Sequence, residues 1–336
     1  MKPRPCPTRS SGASLSVCAA ETAADGPHPL GELTVHATAD GSISLHSSHF
    51  KESFHHSAGA LAEAQAKFVL PAQLQRFSGP AGLRILDVCV GLGYNSAAVI
   101  AALEGNPCPL TWWGLELDPR PLTLALQQQS FCEIWPQRVI ERLQALRDQG
   151  CWHQPSSEGQ MIWGDARQGL SLLPEGLRVD LILLDAFSPA RCPELWSEDF
   201  LKALAERLAP GGRLLTYCRA AAVRASLRRT GLQLMSLLPS PGERQGWSSG
   251  TMAIRPDQQG NPASSGPGWR SLSPMENEHL LTRAAIPYRD PQGNAGSSEI
   301  LQRRSKEQQG CDLESTNAWQ RRWMLNQPQE TPGASL

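Results

Sequence analysis

Short apolar runs alternate with longer amphipathic stretches through the middle of the chain. Seven apolar runs predict β-strands, at 84–89, 111–116, 160–163, 179–185, 212–218, 232–238 and 249–255. Between them, apolar residues recur three or four positions apart and predict helices, at roughly 95–104, 119–129, 135–148, 166–173, 197–208 and 220–230. Strands that are apolar on both faces are typical of a parallel sheet covered by helices on both sides. We therefore predict an α/β fold with a seven-stranded, mostly parallel sheet that ends in an antiparallel hairpin.

The segments on either side of this sheet differ from it in pattern. Apolar residues alternate around Asp40-Gly41, a strong turn dipeptide, and predict an N-terminal β-hairpin over 32–47. A helical pattern over roughly 59–77 is interrupted near Pro71. Past Arg255 the chain is rich in Gly, Pro, Ser, Asn and Gln, which indicates a linker before three short helical patterns. We predict six segments: a disordered leader 1–30, a hairpin and helix 31–80, an α/β domain 81–255, a linker 256–268, a helical tail 269–325 and a disordered end 326–336.

Size, charge and apolar content exclude several classes of protein. The 336 residues, 40% of them hydrophobic, are enough to bury a full core. The net charge of -1 excludes a strongly basic protein, so contact with nucleic acid requires a local patch. The sequence contains neither an apolar run of the roughly 20 residues that a membrane span needs nor a recognisable secretory signal. We expect a cytoplasmic protein with no membrane contact.

The neighbouring residues His55 and His56 suggest a metal site at first sight. The sequence offers no third ligand at a useful spacing and no Cys-x-x-Cys pair. We therefore predict that the protein has no metal site.

The most informative segment is the turn after the first strand of the predicted sheet. That strand carries Asp87 near its end, and Gly91 and Gly93 follow it, just before a helix that begins near Asn95. Glycine lets the backbone turn tightly and approach a ligand without a Cβ atom in the way. The helix adds free amide donors and partial positive charge at its start. Such a turn is typical of a site for a nucleotide or a nucleoside-bearing cofactor.

Acidic residues follow successive predicted strands, at or just beyond their carboxyl ends: Asp87, Glu116, Asp165 and Asp185. In an open α/β sheet those ends form the ligand crevice. Asp87 can order the glycine turn or meet the cationic amino-acid end of S-adenosylmethionine, and Glu116 can accept both ribose hydroxyls. Asp165 can accept from the adenine amine, with the backbone N–H of Ala166 facing a ring nitrogen. Asp185 leads the loop where the transferred group would lie.

The glycine turn alone leaves two cofactors open. Gly91-Leu92-Gly93-Tyr94-Asn95-Ser96 nearly fits the fingerprint of dinucleotide-binding domains, and Glu116 stands at about the expected distance. A nicotinamide-dependent oxidoreductase is therefore one alternative. Asp165 and Asp185 favour S-adenosylmethionine, because a dinucleotide site has no general need for acids after the next two strands.

A longer motif gives the chain a specific family resemblance: Leu184-Asp185-Ala186-Phe187-Ser188-Pro189-Ala190-Arg191-Cys192-Pro193-Glu194-Leu195-Trp196. Shorter matches are Asp40-Gly41-Ser42, His56-Ser57, Gly59, Glu63, the glycine turn, Glu116, Trp163-Gly164-Asp165-Ala166, Pro210-Gly211-Gly212 and Gly231. Over about 38–255 the chain resembles the methyltransferase part of the tRNA 5-methylaminomethyl-2-thiouridine biosynthesis enzymes, the MnmC type. The resemblance implies a Rossmann-like class I methyltransferase domain at 81–255. It further implies methyl transfer from S-adenosylmethionine to the exocyclic amine of 5-aminomethyluridine, or its 2-thio form, at a tRNA wobble position.

The chemistry of an amine nucleophile and the resemblance together assign roles to residues. An alkyl amine is mostly protonated in water, so a carboxylate must hold the ammonium group and accept a proton, and Asp185 is the catalytic candidate. The residues assigned to the substrate are Phe187, Ser188, Pro189 and Trp196, of which Phe187 and Trp196 would shape an apolar slot for the flipped base. The residues assigned to the cofactor are Glu63, Asp87, Gly91, Gly93, Asn95, Glu116, Asp165, Ala166 and Ala186, with Glu63 resting on the resemblance alone.

The chain departs from the bifunctional family members in two ways. Those members carry a flavin-dependent oxidase domain after the methyltransferase, whereas only a short tail follows here, so we expect a stand-alone methyltransferase without FAD. The basic loop of the family corresponds to 242–247, which keeps little positive charge. RNA phosphates could bind elsewhere, and the candidates are Arg213, Arg219, Arg224, Arg228 and Arg229, with a solvated helix face as the simpler interpretation.

Three further interpretations stay open at the level of sequence. An aminopropyltransferase of the spermidine-synthase kind shares the sheet and the ribose-binding acid, but it should carry more acids after Asp185 for a polycationic substrate. A methyltransferase that acts on a small-molecule amine is the second interpretation. The third is a non-catalytic module that binds the cofactor without transferring a methyl group.

Overall fold

The computed structural model describes residues 28–77, 81–106, 108–239, 248–257 and 264–325. Most of the predicted leader, the end 326–336 and the loop 242–247 therefore lie outside the described residues. The described residues form a large sheet with helices on both faces and a small three-stranded sheet near the N-terminus.

The predicted N-terminal hairpin is confirmed and gains a third strand. β1 (Leu33–Ala37) pairs antiparallel with β2 (Ile43–Ser47), which pairs in turn with the short β3 (Glu52–Ser53). The helical segment that follows is divided into α1 (Ala60–Ala64), a π-helical turn (Gln65–Val69) and a 3-10 turn (Leu74–Arg76). The break comes near Pro71 as predicted, because proline lacks the N–H that would continue the helix.

The central sheet has ten strands: β4 (Leu83–Val88), β5 (Leu110–Glu116), β6 (Cys151–Gln154), β7 (Ser157–Trp163), β8 (Val179–Leu184), β9 (Leu208–Thr216), β10 (Gln233–Leu237), β11 (Gly250–Ile254), β12 (Ser265–Gly266) and β13 (Trp269–Ser271). Their order across the sheet is β12-β13-β10-β11-β9-β8-β4-β5-β7-β6. The seven predicted strands are confirmed, with β7, β5, β4, β8 and β9 parallel and β10 and β11 joined as an antiparallel hairpin. The sequence did not predict β6, which extends one edge, or β13 and β12, which extend the other.

The main helices are α2 (Tyr94–Ala102), α3 (Arg120–Leu126), α4 (Gln129–Cys132), α5 (Gln137–Gln149), α6 (Ala166–Leu172), α7 (Glu198–Arg207), α8 (Ala221–Arg229), α9 (Pro274–His279), α10 (Ser297–Gln309) and α11 (Thr316–Leu325). They agree with the predicted helices except that 119–129 divides into α3 and the start of α4. Among the residues that the structure describes, none of the helices combines the length and the apolar character needed to cross a bilayer.

Both faces of the central sheet are buried, as the apolar strands predicted. In β4, Leu83 and Ile85 pack into the core on one face, and Leu86 and Val88 pack into the core on the other. The first core is completed by α2, α3 and α5, and the second by α6, α7 and α8. Successive residues of a strand point to opposite faces, so a parallel strand covered on both sides is apolar along its whole length.

Strand β9 starts earlier than the sequence predicted. Pro210-Gly211-Gly212, a sequence typical of a turn, lies inside the strand. Its register against β8 is irregular, since Val179 is opposite Leu208 whereas Leu181 is opposite Arg213. Extra residues in one strand make a β-bulge, and Pro and Gly are typical of such positions. A turn dipeptide in the sequence therefore marks a bulge here and not a loop.

The C-terminal segment belongs to the same fold as the central domain. Residues 265–271, predicted as the end of the linker and the start of a helical tail, form β12 and β13 at the sheet edge. From the rest of the tail, Leu280, Tyr288 and Ile300 are buried in the second core. The tail therefore packs against the central sheet and shares its second core.

A buried ion pair connects the C-terminal tail to the helix α8 that packs on the central sheet. The guanidinium of Arg224 in α8 is 3.0 Å from the carboxylate of Glu276 in α9, and both side chains are almost fully buried. The remaining donors of Arg224 reach the hydroxyls of Thr251 and Ser248 at 2.8 Å and the carbonyl of Gly250 at 2.9 Å. The Glu276 carboxylate also accepts hydrogen bonds from its surroundings, and these bonds together with the nearby arginines lower its pKa although burial alone would raise it.

The arginine patch proposed for RNA phosphates is corrected by the structure. Arg224 is buried as described, and Arg213 is buried against the carbonyl of Pro71 and the side chain of Gln73. The others are also engaged: Arg219 with the carbonyl of Ser248, Arg228 with Asn277, and Arg229 with Glu198. These arginines are near one another in the sequence, but each of them has at least one partner within the fold.

Replacing Glu276 with Gln should destabilise the protein by about 3 kcal/mol, because it leaves the Arg224 cation buried without its counter-ion. The free energy of unfolding in urea measures this loss. Glu278→Gln is the matched control on the same helix: Glu278 is exposed and pairs with Arg322, so its replacement should change the free energy of unfolding much less. Equal losses in the two variants would contradict a stabilising role for the buried pair.

Candidate active site

The predicted acids stand along the carboxyl edge of the parallel strands. Val88 at the end of β4 is opposite Leu115 of β5 and Leu184 of β8, so Glu116 and Asp185 lie on the two sides of the turn that follows β4. The backbone N–H of Asp185 donates to the carbonyl of Val88 at 3.1 Å. The sheet therefore brings acids from three neighbouring strands to one crevice, as the topology of open α/β sheets requires.

The glycine turn is held by one of these acids. Gly91 and Gly93 have φ angles of 56° and 92°, in the left-handed region that favours glycine. The Gly91 N–H donates to Oε2 of Glu116 at 2.8 Å, and the N–H of Asp118 donates to Oε1 at 2.9 Å. Each carboxylate oxygen keeps a lone pair for a further donor. Burial raises the pKa of Glu116, so a ligand with two hydroxyl donors would stabilise the charged form.

Asp87 lies beneath the glycine turn and is fully buried. Ser96 donates its hydroxyl to Oδ2, whereas Oδ1 has no hydrogen-bond partner among the described residues. Burial, with a smaller contribution from the Glu116 charge, raises the pKa of Asp87 to about 7. A buried carboxylate oxygen without a donor is costly and fits a site that a cationic or donating ligand completes.

Asp185 faces the crevice from the other side of the turn. The side-chain amide of Asn95 donates to its Oδ2 at 2.6 Å. Burial and then the negative charge of Glu63 raise the pKa of Asp185 to about 8, while Lys67 acts in the opposite direction. Oε1 of Glu63 is 2.8 Å from the buried ammonium of Lys67. Lys67 was not predicted as a site residue, although a Glu-Lys pair four residues apart on an otherwise apolar helix indicates a buried ion pair.

Asp165 stands at the edge of this group and has a structural role. It caps α6 by accepting the N–H of Arg167 at 2.9 Å, and the guanidinium of Arg167 is 2.6 Å from its Oδ2. The same guanidinium is 2.7 Å from the buried carboxylate of Asp290 in the tail. Ala166, the first residue of α6, is buried. Arg167 thus holds the carboxylate where an adenine amine was expected, and it connects the tail to the crevice.

An aromatic wall closes the crevice on the N-terminal side. Phe187 stacks on Phe50 with ring centroids 4.4 Å apart and meets the edge of Phe54 at 4.8 Å. Phe54 also lies over the glycine turn, because a Cβ at Gly91 would be 3.3 Å from its ring. Phe50 and Phe54 were not predicted as site residues. Two half-buried phenylalanines beside a short hairpin could have indicated them, but nothing in the sequence places that hairpin over the sheet.

The loop after β8 is fixed from both ends. The carbonyl of Ala186 accepts the hydroxyl of Tyr217 at 2.9 Å, and Ala186 itself is buried. Ser188 donates its N–H and its hydroxyl to Oε2 of Glu52, at 3.1 and 2.8 Å. Pro189 follows and is partly exposed. The N-terminal hairpin and the loop after β8 therefore form one continuous wall.

Trp196 does not line the crevice, which corrects its assignment to the substrate. Its side chain is fully buried in the second core, and its indole N–H donates to the carbonyl of Phe187 at 2.7 Å. A side chain with no exposed surface cannot contact a base directly. Its effect on a substrate passes through the position of Phe187.

Replacing Trp196 with Phe should cost about 1–3 kcal/mol of stability, since the Phe187 carbonyl loses its donor inside the core. The cofactor affinity should stay unchanged, because Trp196 is on the far side of the loop. Urea unfolding and a cofactor titration on the same preparation check both statements. A weaker cofactor affinity at unchanged stability would contradict the structural role.

The structure brings most of the predicted cofactor residues together. Glu63, Asp87, Gly91, Gly93, Asn95, Glu116 and Asp185 surround one crevice, with Asp165, Ala166 and Ala186 at its margin. The free lone pairs of Glu116 fit the two ribose hydroxyls of S-adenosylmethionine, whereas the unpartnered oxygen of Asp87 lies beneath the turn without exposed surface. Within the described part of the chain, His, Cys, Asp and Glu form no group of three or more that could hold a metal ion.

Comparison with known proteins agrees with this geometry. Residues 131–253 match the sequence model of a family described as S-adenosyl-L-methionine-dependent methyltransferase. The crystal structure of MnmC2 from Aquifex aeolicus superposes with a TM-score of 0.69 at 27% identity and covers 83% of this chain and 86% of that one. Fold, crevice and family match define the class: this chain is an S-adenosylmethionine-dependent methyltransferase with a class I fold.

Similar sequences indicate which type of methyltransferase the chain resembles. The bifunctional tRNA 5-methylaminomethyl-2-thiouridine biosynthesis protein MnmC of an Azoarcus species is 33% identical over 214 residues, which are 60% of this chain and 33% of that protein. The chain thus spans about a third of this relative. An uncharacterised protein of Methanocaldococcus jannaschii is 27% identical over 280 residues, 80% of this chain and 70% of that protein. The chain contains a methyltransferase domain of the MnmC type.

Proposed function

We propose that this protein transfers a methyl group from S-adenosylmethionine to the exocyclic amine of 5-aminomethyluridine, or its 2-thio form, at the wobble position of tRNA. The observation that carries the proposal is Asp185, a carboxylate beside the glycine turn whose pKa burial and Glu63 raise to about 8. A carboxylate of that basicity suits the removal of a proton from an ammonium group near neutral pH.

The residues of the chain would divide the work between binding and proton transfer. Bound S-adenosylmethionine supplies a methyl group that its positive sulfonium already activates. Asp185 binds the ammonium group of the acceptor, takes its proton and leaves a neutral amine aligned for attack. The hydrogen bond from Asn95 fixes the orientation of the carboxylate. Alignment of this kind, with no further covalent step by the protein, is the main contribution that methyl transfer requires.

The cofactor would lie across the carboxyl edge of β4, β5 and β7. We assign the ribose hydroxyls to Glu116, the amino-acid end to Asp87 and the turn at Gly91 and Gly93, and the adenine to Asp165 and the N–H of Ala166. Glu63 and Ala186 complete the methionine side. Arg167 contacts both Asp165 and Asp290 of the tail. The tail therefore helps to position the carboxylate that we assign to the adenine.

The acceptor is proposed from sequence similarity and from the aromatic wall. The Asp-x-Phe-x-Pro motif resembles the MnmC methyltransferases, and two bifunctional relatives are named for tRNA 5-methylaminomethyl-2-thiouridine biosynthesis. The aromatic wall of Phe50, Phe54 and Phe187 supplies apolar surface beside Asp185, as a flipped base requires. Ser188 and Pro189 border the same wall and would contact the nucleotide.

The experiment is a transfer assay with purified protein and labelled S-adenosylmethionine. Its acceptors are a tRNA with 5-aminomethyluridine at the wobble position, the same tRNA with unmodified uridine, and spermidine precursors as amines. Nucleoside mass spectrometry should find one methyl group on the aminomethyluridine and none on the unmodified tRNA. Transfer to the small amines alone, or cofactor binding without any transfer, would reject the proposed substrate.

A further inference from the structure

Two exposed cations on the segments of the aromatic wall have no side-chain partner among the described residues. Lys51 on the turn before β3 and Arg191 in the loop after β8 are both exposed, and neither side chain makes a hydrogen bond or ion pair with the described residues. Other cations around the site are engaged: Lys67 with Glu63, and Arg167 with Asp165 and Asp290. Lys51 and Arg191 therefore offer free positive charge on the two segments that carry Phe50 and Phe187.

A single contact places these two cations near each other. Glu52, the neighbour of Lys51, accepts both the N–H and the hydroxyl of Ser188. The backbone N–H of Arg191 donates to the carbonyl of Ser188 at 2.8 Å. Lys51 and Arg191 thus stand on the two segments that this contact joins, at the outer edge of the wall formed by Phe50 and Phe187.

The backbone of Lys51 adds a second observation. Its φ angle is 53°, in the left-handed region that side chains other than glycine rarely adopt. Strain of this kind persists only where the surroundings hold it, and it is frequent at ligand-binding positions. Here the turn is held by the stacked ring of Phe50 on one side and by the Glu52–Ser188 bonds on the other.

The charge of the crevice indicates what these cations bind. The crevice is lined by the carboxyl groups of Glu52, Glu63, Glu116 and Asp185, and the Lys67 cation there is paired with Glu63. It therefore offers the phosphates of an RNA chain little favourable charge. A polyanion can deliver one base into such a site only if positive charge holds its backbone at the rim. On helix α8, Arg224 is buried against Glu276, Arg228 bonds Asn277 and Arg229 pairs with Glu198, so each of these arginines has a partner within the fold.

We propose that Lys51 and Arg191 form a phosphate clamp that binds the RNA backbone on either side of the nucleotide whose base enters the crevice. This inference rests on the proposed tRNA substrate, and it assigns the RNA backbone a binding position on the protein surface. The clamp binds phosphates and carries no base preference, since side chains that contact only the backbone fix position and register.

The test uses Lys51→Asn, Arg191→Gln and the double variant that combines them. The control is the double variant Lys202→Gln with Arg321→Gln, which removes two exposed cations from α7 and α11 and so loses the same charge. Asn tolerates the left-handed backbone of position 51. The ligands are an anticodon stem-loop RNA that contains 5-aminomethyluridine, measured by equilibrium binding over a salt series, and the free nucleoside, measured by methylation rate.

The clamp predicts that the double variant binds the RNA about tenfold more weakly at low salt and that the salt slope falls by about 0.7 for each contact removed. Its affinity for S-adenosylmethionine and its rate on the nucleoside should match the control. RNA binding equal to that of the control would overturn the clamp, and so would a slower reaction on the nucleoside. RNA binding that depends on the clamp without methylation of the RNA would keep the clamp and reject the proposed reaction instead.

Discussion

Asp185→Asn is expected to lower kcat about 10²- to 10⁴-fold, the range that a positioned acid or base contributes, while the affinity for S-adenosylmethionine stays nearly unchanged. Asn has the same shape and can still bond Asn95, but it cannot accept a proton from the substrate ammonium. The wild-type kcat/KM should rise with pH up to about 8, because that parameter reports the ionisation of the free enzyme and Asp185 has a pKa of about 8. Single-turnover transfer across a pH series measures both effects.

The matched control for this prediction is Asp180→Asn at the other end of the same strand. Asp180 pairs with Arg84 at 3.2 Å, far from the crevice. The control should retain wild-type kcat and the same pH profile. If Asp185→Asn kept full turnover, or if its pH profile matched the wild type, Asp185 would not be the base.

Glu116→Ala is expected to weaken S-adenosylmethionine binding at least about 10²-fold, because two hydrogen bonds to a charged group contribute about 1.5–3 kcal/mol each. The same change leaves the N–H groups of Gly91 and Asp118 without their acceptor, which loosens the glycine turn. S-adenosylhomocysteine should lose affinity by the same factor, since Glu116 is assigned to the ribose and not to the sulfonium. At saturating cofactor, kcat should change much less than the affinity does.

Calorimetric titration of both ligands measures this effect, and Glu158→Gln provides the control. Glu158 lies on β7 with an exposed side chain and should leave both affinities unaltered. A Glu116 variant that lost affinity for S-adenosylmethionine but not for S-adenosylhomocysteine would place the carboxylate near the sulfonium. Unchanged affinity for both would remove Glu116 from the cofactor site.

The sequence predicted the central sheet well because the burial of each strand is visible in the residues of that strand alone. Parallel strands buried on both faces must be apolar along their length, so β4, β5, β8 and β9 were visible as apolar runs. Once the strands were known, the carboxyl-edge rule placed Glu116 and Asp185 in one crevice without any knowledge of contacts. The edge strands β6, β12 and β13 carry weaker patterns, because a short edge strand needs little burial.

The features that the sequence missed depend on contacts between distant segments. Trp196 and Phe187 have the same apolar character, yet one is buried in the core and the other lines the crevice. Arg224 looks like a surface arginine on an amphipathic helix until α9 brings Glu276 to it. Phe54 lies over Gly91 only because the N-terminal hairpin packs across the sheet. Composition and spacing carry no information on such pairings.

The most direct test of the account is nucleoside mass spectrometry of tRNA from a strain that lacks this protein. The account predicts that 5-methylaminomethyl nucleosides disappear and 5-aminomethyl nucleosides accumulate at the wobble position, and that the wild-type chain restores the methylated form whereas Asp185→Asn does not. An unchanged set of wobble nucleosides in that strain would contradict the proposed reaction.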